Sequence, residues 1–102
     1  MTINDTFQEI SSITQKIIEV GLSVQEKWPN RTGSKIAWQD QADLSIALKN
    51  IPYNEKYKVI ESDRNFNFKM LDGALIQLLY EFNATGRELV SHRLAFFPSP
   101  SL

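Results

Sequence analysis

His92 is the only histidine in the sequence, and an unperturbed imidazole is the side chain that titrates near neutrality. It suits a general base or a metal ligand. With no cysteine and no second histidine, it has no partners for a nitrogen or thiolate metal set. Its ordinary use is as a hydrogen-bonded residue in a core or at a sheet edge. Glu61, Asp63 and Asp72 are the carboxylates that a hard cation would want. Asp72, however, starts an Asp-Gly turn, and Asp63 stands at the exit of a short helical stretch. No Glu-x-Lys or Asp-x-Lys occurs, so the acidic set of a restriction-type nuclease is incomplete. No serine lies in Gly-x-Ser-x-Gly. Four glycines in all leave little for a phosphate cradle, and neither glycine-rich nucleotide motif is present. The sequence therefore predicts no enzyme, no catalytic residue, no metal and no cofactor.

Recognition is the remaining chemistry. Arg64, Lys69, Arg87 and Arg93, with Phe66, Phe68 and Tyr80 between them, have the makings of a sheet that stacks bases. The net charge of -1 supplies no field towards a phosphate backbone or an anionic membrane, and nucleic acid is not the expected partner. Trp28 and Trp38 flank a Pro/Gly loop. Tryptophan is enriched at protein contacts, although such residues also close the edges of small cores.

These residues need elements to position them. Ile3, Phe7, Ile10, Ile13, Ile17, Val20 and Val24 recur at spacings of three and four, which predicts a helix from about residue 4 to 22 or 27. Thr2 or Asn4 can cap it, and Asp5 suits its first turn. The same stripe is a short helix-pairing seam if it is not used inside the domain. Lys35–Trp38 reads as a short strand. Asp40 can cap a helix over 41–49, and Asn54 another in which Tyr53, Tyr57 and Ile60 share a face.

The last third is written in period two. Phe66, Phe68 and Met70 share one face. So do Ala74, Ile76, Leu78, Tyr80 and Phe82, and then Val90, His92, Leu94 and Phe96. Asp72-Gly73 reads as a two-residue type I′ turn, and Asn83–Gly86 as a longer one. That face is expected to be the core, with His92 in it. The opposite face carries Leu75, Leu79, Leu89 and Phe97 beside Gln77, Glu81, Ser91 and Arg93, which is too apolar for water.

The fold expected is α+β. An N-terminal helix and short helices pack on a three- to four-stranded antiparallel sheet, in one domain over residues 1–97 with a tail over 98–102. The absence of cysteine, of a signal pattern and of a long apolar run points to a reducing cytoplasm and no membrane.

The segment Asp72-Gly-Ala-Leu-Ile-Gln-Leu-Leu-Tyr-Glu-Phe82, followed by Ser91-His-Arg-Leu-Ala-Phe-Phe-Pro-Ser-Pro100, resembles the N-terminal half of a bacterial family of unknown function. That family shows an Asp-Gly…Gln…Tyr-x-Phe segment and then a His-Arg-Leu…Pro-x-Pro segment. Its members continue for roughly another domain's length, with an Arg-Phe-Asp-Tyr type motif that this chain lacks. The resemblance implies a mobile-element or phage-defence neighbourhood and no activity. The function expected is a small protein-binding module, an inhibitor or a subunit. The alternative is an N-terminal fragment of a larger enzyme or nucleic-acid-acting protein. The expected contacts are Leu75, Leu79, Leu89, Phe97, Arg93, Trp28 and Trp38, against another protein or a second copy.

Overall fold

The computed structural model describes residues 2–38 and 51–100. The expected helix over 41–49 and its Asp40 cap lie outside them. Helix α1 spans Ile3–Val20. Thr2 accepts the Asp5 amide on its hydroxyl at 3.2 Å, and the Asp5 carboxylate accepts the Thr2 amide at 3.0 Å. This reciprocal pair satisfies two donors at the helix start. The Thr2 hydrogen bonds also hold the Asp5 carboxyl below its ordinary value. Gly21, at φ +70°, ends the helix in the left-handed conformation that glycine adopts without steric cost. The expected extension to residue 27 is therefore replaced by strand β1, Ser23–Glu26.

Strands β2 (Pro29–Thr32) and β3 (Lys35–Trp38) form a hairpin. Helix α2 is Tyr53–Ser62 and follows Pro52 without a side-chain cap, so Asn54 lies inside it. Strands β4 (Phe68–Met70), β5 (Leu75–Phe82) and β6 (Leu89–Phe97) complete an antiparallel sheet of six strands among the described residues. The fold is α+β, with two or three more strands than the three to four the sequence predicts. β1 and β2 are short and mostly exposed, so they lack the apolar alternation that announces a strand.

β5 is the spine. β6 pairs along its whole length on one edge. On the other edge β4 pairs at Leu75 and Ile76, and β3 at Tyr80 and Glu81. β4 and β3 thus abut end to end. Four buried polar side chains stitch this gap. Leu78 N–H donates to Asn67 Oδ1 at 2.6 Å, and Gln77 Nε2 donates to the Asn65 carbonyl at 2.7 Å. Trp38 Nε1 donates to Asn65 Oδ1 at 2.8 Å. Side chains here take the place of the missing strand partner, as buried polar groups require.

The turns differ in detail from expectation. Gly73 N–H donates to the Met70 carbonyl and Met70 N–H to the Ala74 carbonyl. Only Gly73, not Asp72, has positive φ. The connection is therefore a three-residue loop, Leu71-Asp72-Gly73, rather than type I′. The Asp72 carboxylate accepts the Ala74 amide. At the other hairpin Gly86 sits at φ +72°, and its carbonyl accepts the Ile3 amide at 2.8 Å. The start of α1 is hooked to the β5–β6 turn.

The two helices lie on opposite faces of the sheet. Ile3 and Ile10 of α1 bury with Ile36 and Phe82, flanked by Phe7, Leu78 and Tyr80. Tyr57 and Ile60 of α2 bury with Phe66 and Leu75, flanked by Phe97. This corrects the expectation that the Leu75 face is uncovered. Leu75 is 0% exposed, and a fully buried leucine contributes roughly 1.5–3 kcal/mol. Phe66 joins the α2 side rather than the Phe68 face, because residues 66–67 bend before β4 begins.

Candidate functional site

Leu79 and Phe97 are half-buried, and Phe97 packs against the α2 cluster. Leu89 is exposed but leaves this group. A register shift between Glu81 and Phe82 makes Val90 the extra residue, so Leu89 stands opposite Phe82. A bulge moves later side chains to the other face. Arg93 is exposed opposite Leu79. Trp38 is buried as part of the stitch, whereas Trp28 stays exposed in the connection from β1 to β2. Leu75 and Trp38 are therefore not surface residues, and the remaining five do not form one patch.

The residues with chemical potential are also dispersed. His92 is exposed, and its ring stacks on Tyr80 with centroids 6.4 Å apart, rather than lying in the core. Phe66 and Phe68 are each 1% exposed and cannot reach a base. Lys69 is paired with Glu61 at 2.8 Å. Among the described residues no three acidic or histidine side chains converge to hold a metal, and no helix is long and apolar enough to cross a membrane.

One polar cleft, of 470 Å³, lies where α2 meets the β4–β5 loop and residues 99–100, lined by Tyr57, Lys58, Glu61, Lys69 and Ser99. Tyr57 hydroxyl donates to the Gly73 carbonyl. Burial, then the Glu61 charge, pushes its phenol above the ordinary value. The Glu61 hydrogen bond raises the Lys69 amine. A catalytic base or nucleophile needs its pKa moved towards neutrality, and both shifts here run away from it. The cluster holds α2 to the sheet. Tyr53 adds a hydrogen bond to the Pro98 carbonyl at 2.5 Å, so residues 98 and 99 dock on α2.

The open surface is on the other side. Register places His92 beside Tyr80, Leu94 beside Leu78 and Phe96 beside Ile76, all on the face that α1 covers further along the sheet. That face was expected to be core throughout. Over β6 it is bare: Leu94 is 71% exposed and Phe96 61%. The helix is displaced towards β2, where Arg31 donates to the Asn4 side chain. Ile13 and Val20 stand about 180° and about 160° round α1 from Asn4, at about 100° per residue. Both are exposed, on the flank opposite the one that meets Arg31. The bare face of β6 forms a trough: its floor is Leu94 and Phe96, and at Phe96 it deepens into a groove of 390 Å³ lined by Leu22, Met70, Leu71, Ile76 and Phe96. Exposed apolar side chains scattered singly mean little, but a contiguous set marks a contact surface.

Sequence reasoning missed this trough because periodicity assigns a face and not its cover. It also missed Asn65, Asn67 and Gln77. The signal available was Gln77 inside the apolar run Leu75–Phe82. A family model with the description "Uncharacterized conserved protein (DUF2290)" matches residues 22–102. No curated protein and no solved structure matches the chain.

Proposed function

We propose, of a chain that belongs to the DUF2290 family of uncharacterized conserved proteins, that it is a non-enzymatic protein-binding module whose contact surface is the trough on the bare face of β6. The observation that carries this is the exposure of Leu94 and Phe96, with Phe96 also lining the groove beside Leu22, Met70 and Leu71. Water is a poor cover for such a set, and a partner's apolar element gains the transfer energy of both surfaces. The partner's contact is predominantly apolar, because the floor and the groove are lined mainly by apolar side chains. In the defence setting that the motif resemblance implies, such a module acts as an inhibitor or as a subunit of a larger complex.

The test is capture from the native host by immobilised protein, comparing wild type with Leu94→Asp, Phe96→Asp and, on the other sheet face, Leu79→Asp. Both trough variants lose the specific partner, keep cooperative unfolding, and differ in this from Leu79→Asp. Capture that survives both trough changes removes this surface from the function.

A further inference from the structure

We infer that the free edge of β6 pairs with β6 of a second copy, giving a two-fold dimer with one continuous sheet. This goes beyond the trough, since it concerns the strand's backbone edge and not its side-chain face. The orientation of the backbone follows from the bonds on the far side of β5. Ile76 accepts from Asn67 N–H, Leu78 N–H donates to Asn67 and Phe82 N–H donates to the Ser34 carbonyl. The even residues of β5 therefore point their backbone groups at β4 and β3, and the odd residues point theirs at β6. Antiparallel partners exchange both bonds at alternate pairs. Ser91, Arg93, Ala95 and Phe97 of β6 thus turn inward to β5, and His92, Leu94 and Phe96 turn their N–H and C=O groups outward. Among the described residues no strand pairs with that edge.

Natural edges are protected by bulges, prolines and charges. Here the bulge at Val90 and Pro98 lie at the two ends. Between them residues 91–97 form a straight run with one charge, Arg93. That charge selects the register. A two-fold centred on Arg93 opposes two arginines, and like charges directly opposite are destabilising. A two-fold centred on Leu94 pairs Leu94 with itself, His92 with the second copy's Phe96, and Arg93 with the second copy's Ala95. Every residue from 91 to 97 then has a partner, and no like charges meet. The net charge of -1 per chain offers little resistance to association. Because the two-fold is perpendicular to the sheet, the two trough floors join across it on one face. The contact is small beside the ~1,200–2,000 Å² of a stable complex, so the dimer is weak and concentration-dependent.

The experiment uses the whole chain. Sedimentation equilibrium from micromolar to about 1 mM, the range of weak association, shows mass rising from monomer to dimer. Leu94→Pro removes an outward N–H, where proline is tolerated in an edge strand. Leu94→Lys sets two charges face to face without touching the backbone. Each weakens the dimer at least tenfold while the domain unfolds cooperatively as before. The native chain has no cysteine, so a single introduced thiol reports alone. Leu94→Cys oxidises to a covalent dimer faster than Arg93→Cys or the helix control Ser12→Cys. A chain that stays monomeric over the whole range overturns the inference. So does a Leu94→Cys variant that oxidises no faster than Ser12→Cys, or a dimer untouched by Leu94→Lys. Leu94→Asp also sets like charges across this edge, so the trough is judged by Phe96→Asp at a concentration where the chain is monomeric, and the two ideas fail separately.

Discussion

Replacing Asn67 by leucine tests the stitch that lets two strands share one edge of β5. Asn67 is buried, and its Oδ1 accepts the Leu78 amide at 2.6 Å. Leucine is close to asparagine in size but cannot accept, so the Leu78 N–H is left without a partner between the ends of β4 and β3. An orphaned buried donor costs about 1–3 kcal/mol. Leu78 itself is only half-buried, which favours the lower part of that range, about 1–2 kcal/mol. For a domain of this size 1 kcal/mol moves the thermal midpoint by roughly 4–8 °C, so the expected loss is about 5–15 °C. Urea unfolding gives the free energy directly, and amide exchange at Leu78 locates it. The Leu78 amide exchanges faster in the variant, while the amides that β5 directs at β6 change only by the global loss. A variant within about 0.5 kcal/mol of wild type, with Leu78 still protected to the same degree, refutes the claim that this side chain replaces a strand.

Two further outcomes are expected. Gly86→Ala forces an L residue to φ +72° and sets a Cβ 2.8 Å from Ile3 Cγ2. Left-handed strain of about 1–2 kcal/mol adds to that clash, and denaturant midpoints show a loss of at least this size together with faster exchange at the Ile3 amide. Lys69→Met removes the partner of Glu61. The folded-state pKa of Lys69 is raised, so its stabilisation is fully present below the unfolded value near 10.4 and is lost as pH rises through the folded value. The pair is partly exposed, and the wild type exceeds the variant by only about 0.2–1 kcal/mol at about pH 8. The difference closes as pH rises through the raised folded value, and equal denaturant midpoints at the lower pH show the bridge to be without effect.

The sequence was most legible where local chemistry decides. Thr2, Asp5 and Gly21 bracket α1, and period two marks β5 and β6 correctly. What it hid is non-local. Which sheet face receives which helix depends on where α2 returns, and nothing in Leu75–Phe82 records that Tyr57 and Ile60 arrive on the odd side. The even residues of β6 carry the same pattern as those of β5, yet α1 covers one and not the other. Leu89 changes faces because of a one-residue bulge, and parity counted along a sequence assumes that none exists. Trp28 and Trp38 look alike beside their loop, but only Trp38 meets Asn65.

The end-to-end seating of β4 and β3 on β5 also shapes how this sheet opens. The β2–β3 arm and the β1–β4 arm each pair with the spine at two positions, and the Trp38–Asn65 hydrogen bond links the one to the other. These ladders are far shorter than that of β5 and β6, and short ladders with exposed strands sit at the low-stability end of a fold. Opening of the β1–β4 arm takes Leu22, Met70 and Leu71 out of the groove at Phe96, so the shape of that groove depends on one of the shortest ladders in the sheet.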